Sequence, residues 1–210
     1  MPGRPARPNG LAPTGGNGAA GCTWTPRPPI CPGTGEKPTG PQVPHCYGWL
    51  ALDARGHWYM RDERIQAAGA FPHPKGSRID HEKLLGFIHR NYAQDQAGAA
   101  YFQNGPQRVY VELEAAPFVW RVGGEAPAWT LTTHNDVAAN FDAAWVDEAG
   151  RLFVQAITAQ GLRCFGIVHS LDMALAGAAV ESGAWPVRQM PYAQMPKRFG
   201  FVPRPVPETI

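Results

Sequence analysis

The sequence predicts an α+β fold, rich in strands and built as two small strand-based subdomains with one helix each. Three observations predict it. First, residues 107–122, QRVYVELEAAPFVWRV, read as two strands joined by an Ala-Ala-Pro corner. Val109, Val111 and Leu113 alternate there with Arg108, Tyr110, Glu112 and Glu114, the period-two pattern of a strand with one dry face and one wet face. Second, the succession of strands and turns starts again after Gly123-Gly124. Third, LDARGHWY at 52–59 and VDEAGRLF at 146–153 echo each other: an Asp, a Gly three residues on, then an aromatic-bearing strand. The echo raises an internal duplication, against the simpler account that hairpin chemistry produces such short patterns unaided.

The elements follow in order. Residues 1–45 hold eleven Pro and nine Gly with Trp24 as their one aromatic residue, too little apolar surface to offset the entropy of ordering; they are expected to be a disordered tail. The first unit, 46–125, opens with a hairpin, Tyr47 to Asp53 and His57 to Arg61, about Ala54-Arg55-Gly56. A loop, AFPHPKGS at 70–77, leads to a helix expected over 81–93. Asp80 is its N-cap, Glu82 stands in its first turn, and Leu84, Leu85, Ile88 and Tyr92 recur on one face. A strand at 99–104 precedes the pair at 107–122. In the second unit, 126–185, strands are expected at 129–133, 144–146, 151–159 and 162–168. A helix over 171–182 follows, with Ser170 as cap and Gly183 as stop. Residues 186–210, with six prolines, are expected to be an extended tail that lays Tyr192, Phe199 and Phe201 on the domain.

Charge separates the same regions. Residues 1–45 carry four cations against Glu36, and 188–210 carry four against Glu208, whereas 46–187 carry eleven cations against fifteen acids. An acidic core between weakly basic ends lacks the dense basic face of a dedicated nucleic-acid binder. No apolar run of about 7–15 residues marks a secretory signal, and no segment approaches the roughly 20 residues that cross a bilayer. A soluble, cytoplasmic protein is expected, with its four cysteines reduced.

Candidate chemistry is sparse. Cys22, Cys31, His45 and Cys46 have the residue types of a zinc site but lack the tight C-x2-4-C knuckle that preorganises two ligands. His134 and Asp136, in TLTTHND, place acid-base and metal-capable groups at a strand end, where Asn135 and Asp136 also suit a turn. His169, Ser170 and Asp172 contain the letters of a hydrolytic triad, but sequence neighbours do not generally form that geometry, and helix capping explains them. His81 and His89 read as a solvated helix face, and Cys164 as a buried thiol. Glu112 and Glu114 share the wet face with Arg108 and Tyr110, and paired carboxylates can move protons. No phosphate-binding glycine loop or cofactor signature is found, so no cofactor is expected.

The middle of the chain resembles a proteobacterial family of uncharacterised proteins, a domain of unknown function. The resemblance rests on the order DARGHWY, KGSRI, EKLLGFIHR, YFQNGPQRVYVE and EAAPFV, over about residues 48–122 and more weakly to about 170. The chain departs from it at Ala115, where an acid is expected, and in its long Pro-rich N-terminus. The resemblance implies an α+β fold with two β-rich subdomains and implies no activity. With catalytic signatures missing and aromatics abundant, the reading is a non-enzymatic binding or regulatory protein that holds a small molecule or peptide between its halves. Arg108, Tyr110, Glu112, Glu114, His134 and Asp136 are its candidate ligand-binding residues. A metal-assisted hydrolase acting through His134, Asp136 or the Glu112–Glu114 pair, and an assembly protein docking through its Pro-rich ends, are the alternatives.

Overall fold

The computed structural model describes residues 44–207. The N-terminal tail and the zinc question posed by Cys22 and Cys31 fall outside the described residues. Strand β1 (Cys46–Leu52) turns at residues 53–57 into β2 (Trp58–Met60). Helix α1 (Glu63–Ala68) follows, capped by Asp62, whose carboxylate accepts from the Ile65 N–H at 2.9 Å. Then come β3 (Ser77–Arg78), α2 (Glu82–Arg90), β4 (Tyr92–Gln94), β5 (Ala100–Asn104) and β6 (Gln107–Leu113). The strands form a six-stranded sheet in the order β3-β2-β1-β6-β5-β4. Its pairs are antiparallel except the central one, where β1 and β6 run parallel.

Helix α2 is shorter than its periodicity suggests, and its cap differs. His81, not Asp80, caps it, with Nδ1 accepting from the Leu84 N–H at 3.3 Å. The helix stops at Asn91 because Tyr92 is taken into β4. There its ring is buried and its O–H donates to the Pro117 carbonyl at 2.7 Å. A buried phenol needs such a partner, and this one lies across the molecule.

The second half contains β7 (Phe118–Glu125), β8 (Ala128–Thr133), β9 (Ala138–Val146), β10 (Leu152–Thr158) and β11 (Arg163–Val168). A 3-10 turn (Ser170–Asp172), α3 (Met173–Glu181) and β12 (Val187–Gln189) complete it. The order β10-β11-β7-β8-β9 closes because β9 also pairs with β10, which makes a five-stranded barrel; β12 joins β9 from outside. Trp120 fills the barrel interior, fully buried, with its indole N–H donating to the Val154 carbonyl at 2.9 Å. It lies against Gly166, where a Cβ would stand 2.7 Å from the indole nitrogen and 2.6 Å from the Phe118 carbonyl oxygen. Any side chain at 166 would displace the tryptophan.

The α+β class and the richness in strands hold, but the pair at 107–122 is divided between sheets. β6 is central in the first, and β7 belongs to the barrel. The chain therefore changes sheets at residues 114–117, earlier than the boundary expected after Glu125. Pro117 has no N–H to continue a ladder, and buried Ala115 and Ala116 are small enough to pass between the layers. The Asp-x-x-Gly echo reports a turn. The same five-residue turn joins strands at 53–57, 95–99, 133–137, 147–151 and 158–162. In each, a side-chain oxygen of the first residue accepts from the N–H of the fifth, and the fourth residue has positive φ. Five uses of one turn, across two differently closed sheets, explain the echo without a duplication.

The segment expected as an extended C-terminal tail is folded as far as residue 207. After β12 a 3-10 turn (Tyr192–Gln194) and α4 (Met195–Phe199) seat Met195 and Phe201 in the core. Phe199 stacks on Phe165 at 3.8 Å between centroids. Beyond it the chain crosses to the first sheet: Val202 bridges to Ala99, the Leu113 N–H donates to Pro203 at 2.8 Å, and Arg204 donates to the Phe71 carbonyl at 2.8 Å. Burial of its apolar residues outweighs the extended preference of its prolines. Among the described residues, no helix is long and apolar enough to cross a membrane.

Candidate functional site at the seam of the two sheets

The expected wet face of β6 is largely covered, because β6 is a central strand and residues 61–75 fold over it. Its four polar residues find partners in two groups. Tyr110, buried, stacks on Tyr47 at 4.6 Å and donates to Asp95 at 3.1 Å, while the Arg108 guanidinium lies 4.6 Å from the Tyr101 ring centroid. Further along, Glu112 pairs with Arg61, itself buried beneath the loop. Arg61 also donates to the Gly69 carbonyl at 2.6 Å. Glu114 accepts from Lys75 at 3.1 Å and from the Ala54 N–H at 3.2 Å.

His134 and Asp136 lie elsewhere, in the 133–137 turn of the barrel. Asp136 is the residue with positive φ, at 65°, and is exposed. The His134 ring sits among Trp58, His89, Tyr92 and Phe118, with centroids 5.7–6.2 Å away. Its Nδ1 accepts from the Val119 N–H at 3.3 Å, so Nε2 carries the proton. That N–H is sealed from solvent and has no hydrogen-bond partner, although the residue as a whole is only part-buried. Burial, reinforced by the neighbouring His89, pushes its pKa down to about 3. His89, expected on a solvated face, accepts from the Trp58 indole at 3.0 Å, and burial lowers its pKa against a raising influence of Asp136. These histidines form a joint between α2 and the barrel. The six candidate residues therefore do not meet in one place, and among the described residues no group of three or more His, Cys, Asp or Glu could hold a metal.

A different set does converge, around Asp53 in the turn between β1 and β2. One carboxylate oxygen accepts from the Arg55 and His57 N–H groups at 2.8 and 2.9 Å, which forms the turn. The other receives His57 Nδ1 at 3.3 Å, the Tyr59 O–H at 3.1 Å and the Lys75 ammonium at 3.1 Å. Lys75 bridges on to Glu114, so one cation holds two carboxylates. Burial alone would raise the Asp53 carboxyl. The His57 and Arg55 N–H groups and Lys75 outweigh it and hold it below the usual carboxylate range. Burial would lower Lys75, but its bonds to Glu114 and Asp53 hold it above the ordinary ammonium value. Tyr59 is raised by burial and by the Asp53 charge. Asp53 thus stays an anion, Lys75 a cation and Tyr59 a donor: a fixed electrostatic frame with no group poised as a nucleophile.

The same turn presses against the barrel, since a Cβ on Gly56 would lie 3.0 Å from that of His134 and 3.8 Å from that of Val119. Two residues along β7, the Arg121 side chain binds Asp172 bidentately at 2.6 and 3.1 Å, and the Val122 N–H donates to the same carboxylate at 3.0 Å. The Arg121 bond, working against burial, lowers the Asp172 carboxyl. His169, buried, donates its backbone N–H to Trp120 and accepts from the Leu171 N–H on Nδ1 at 3.1 Å. Burial and the positive charge of Arg121 lower its pKa against the opposing field of Asp172; Arg55 and His57 add to the lowering. His169, not Ser170, caps this turn, and Asp172 serves Arg121 and β7. The Asp53 turn therefore meets the barrel at Val119, next to Trp120, whose carbonyl accepts from the His169 N–H. Asp53, His57 and Lys75 cannot be read as a group from the sequence, because DARG reads as a turn and Lys75 meets Asp53 and Glu114 only in space.

These features define an α+β protein in which an open mixed sheet is joined to a five-stranded barrel through a polar seam. The chain belongs to the family DUF2944, described as "Protein of unknown function (DUF2946)", whose model matches residues 39–206. Two solved structures are similar to part of it. A DUF1285 family protein from Silicibacter pomeroyi DSS-3 is 14% identical with a TM-score of 0.41, over 61% of this chain and 67% of that one. A DUF1285 family protein from Shewanella baltica OS155 is 11% identical with a TM-score of 0.40, over 62% of this chain and 91% of that one. No curated protein matches the chain.

Proposed function

We propose that the protein is a non-enzymatic binding protein and that its ligand site is the seam between the sheet and the barrel. One observation carries the reading: the seam keeps hydrogen-bonding capacity in reserve on side chains that are otherwise held in place. His57 is oriented through Nδ1 by Asp53, which leaves Nε2 free as an acceptor. His169 is oriented through Nδ1 by the Leu171 N–H, which leaves Nε2–H free as a donor. Arg55, in the same turn as His57, is exposed and forms no ion pair among the described residues. Preorganised groups with one free valence each suit recognition of a small polar molecule. The Asp53–Lys75–Glu114 frame suits binding better than chemistry, since Asp53 and Lys75 are held in their charged states.

A thermal-shift screen of metabolites against the whole chain tests the reading. Compounds that raise the melting temperature of the wild type are expected to lose their effect in His57→Gln and to keep it in Arg151→Ser, at the other Asp turn. Hits indifferent to His57→Gln would move the site away from the seam.

A further inference from the structure

We propose that the chain binds part of its own Pro-rich N-terminal segment: residues 25–32, TPRPPICP, dock on a face of three tyrosines at the end of β6 away from the seam. The proposal goes beyond the binding reading above, and no residue of the seam enters it. Tyr47 on β1, Tyr110 on β6 and Tyr101 on β5 stand on neighbouring strands and bring their rings together on one side of the first sheet. Tyr47 stacks on Tyr110 at 4.6 Å with 7° between the planes, and the Tyr101 ring lies 6.0 Å from that of Tyr110. The Arg108 guanidinium sits over Tyr101 at 4.6 Å from the centroid, and exposed His45 meets Tyr110 edge-on at 6.0 Å. Tyr110 is buried, whereas Tyr47, Tyr101 and Arg108 keep part of their surface in solvent. Adjacent aromatic rings with a polar rim are the surface on which P-x-x-P segments pack. The rings supply flat apolar area, and the phenol and guanidinium edges supply donors to a segment poor in N–H groups of its own.

The chain itself places such a segment within reach. Residues 1–43 join the described ones at Pro44, whose carbonyl accepts from Gln107 Nε2 at 2.8 Å, and His45 Nδ1 accepts from the Arg108 N–H at 3.3 Å. The connection therefore enters the sheet beside Arg108, on the strand that carries Tyr110. Pro26, Pro29 and Pro32 give the P-x-x-P spacing twice in succession, and residues 33–43, with Gly33, Gly35 and Gly40, supply the return. Extended at about 3.3 Å per residue, that return reaches well beyond the roughly 10 Å across three strands. Attachment so close to the face sets an effective concentration on the order of millimolar, so a weak contact suffices. Charge points the same way. Residues 25–32 carry Arg27 and no acid, whereas 46–187 carry an excess of acids. At the face, Asp95 holds its own turn with one oxygen and receives the neutral Tyr110 O–H at 3.1 Å on the other. The matching oxygens of Asp53 and Asp147 receive cations. The Asp95 oxygen suits the Arg27 guanidinium, with Arg108 engaged by Tyr101.

A nitroxide on Cys22 of the whole chain, with Cys31→Ser and Cys46→Ser and with Cys164 buried, tests the proposal through paramagnetic broadening of amide signals. Broadening is expected to be strongest at 101–103 and 108–110, and to be the same at every protein concentration. Pro26→Gly combined with Pro29→Gly should lower the ratio of docked to undocked segment about threefold or more, and so should Tyr101→Ala. Arg27→Ser should lower it about twofold. The substitutions at 26, 27 and 29 leave residues 44–207 unchanged, so they decide the outcome if Tyr101→Ala does not fold. Broadening that is strongest elsewhere, absent, or indifferent to the two glycines overturns the proposal. Equal broadening of an isotope-enriched chain without nitroxide, mixed with a chain that carries it, would seat the segment on a second copy and overturn docking within one chain.

Discussion

The turns at Asp53 and Asp147 have the same backbone and different surroundings. In both, one carboxylate oxygen accepts two N–H groups of the turn, Arg55 and His57 in one, Ala149 and Arg151 in the other. In both, a glycine with positive φ closes the turn, Gly56 and Gly150. The difference lies in the second oxygen. At Asp147 it is satisfied within the turn, by the Arg151 guanidinium at 2.7 Å. At Asp53 it gathers His57, Tyr59 and Lys75, and through Lys75 reaches Glu114 on another strand. A turn that serves only its hairpin needs the first oxygen and a local cation. A turn that also ties its hairpin to other segments directs its second oxygen to distant groups.

Replacing each aspartate should break the comparison most visibly. Asp53→Ala leaves the Tyr59 O–H, His57 Nδ1 and two turn N–H groups without their acceptor, while Lys75, about as exposed as Arg151, keeps Glu114; it is expected to cost about 2–4 kcal/mol. Asp147→Ala leaves Arg151, one-third exposed, to be rehydrated, and is expected to cost about 1–2 kcal/mol. Urea denaturation of both variants measures the gap, and equal costs would show that the network adds nothing to the turn.

The joint beside the Asp53 turn should give the next largest effect, through pH. The folded His134 has a pKa of about 3, below the unfolded value of about 6.5. Below pH 6.5 the unfolded chain therefore binds a proton that the folded chain refuses, and stability falls as pH falls. His89 acts in the same direction. Between pH 6.5 and 4.5 the wild type is expected to lose about 1–2 kcal/mol, with partial exposure allowed for. His134→Phe should lose clearly less over that range. The lowered Asp53 adds its own loss only below about pH 4, where the unfolded carboxyl protonates first. A variant that retains the full slope would place the titrating group elsewhere.

The smallest effect is expected at the rim of the network. Glu114→Gln leaves Lys75 paired with Asp53, and both Glu114 and Lys75 are partly exposed. Its cost should be below about 1 kcal/mol and should shrink further in high salt. A larger, salt-independent cost would mean that Glu114 shares the anchoring role with Asp53.

What could be read in the sequence was local. The alternation of Val109, Val111 and Leu113 located β6, and the caps and glycines located the hairpins and helices to within a few residues. Sheet membership could not be read, because it is set by pairings far apart in the chain. β1 pairs with β6 and β7 with β11, both in parallel, and β9 with β10 closes the barrel. The same limit hid the grouping around Asp53. Arg108, Tyr110, Glu112 and Glu114 share a strand face as the period demands, but their partners come from Tyr47, Arg61, Lys75 and Asp95. Asp53 resembled Asp147 because the turn fixes their first oxygen alike, and the sequence holds no record of where the second oxygen points.

The contrast between the two turns is tested most directly by mapping amide shifts in a heteronuclear correlation spectrum while a stabilising metabolite from the thermal screen is titrated into the whole chain. The account predicts the largest shifts at 53–59, 75–76, 112–115 and 168–172. A depression of about 320 Å³ beside the Asp147 turn, lined by Val146, Asp147, Glu148, Gln189, Met190 and Pro191, is the natural competitor. Shifts centred there, with the Asp53 turn unmoved, would contradict it.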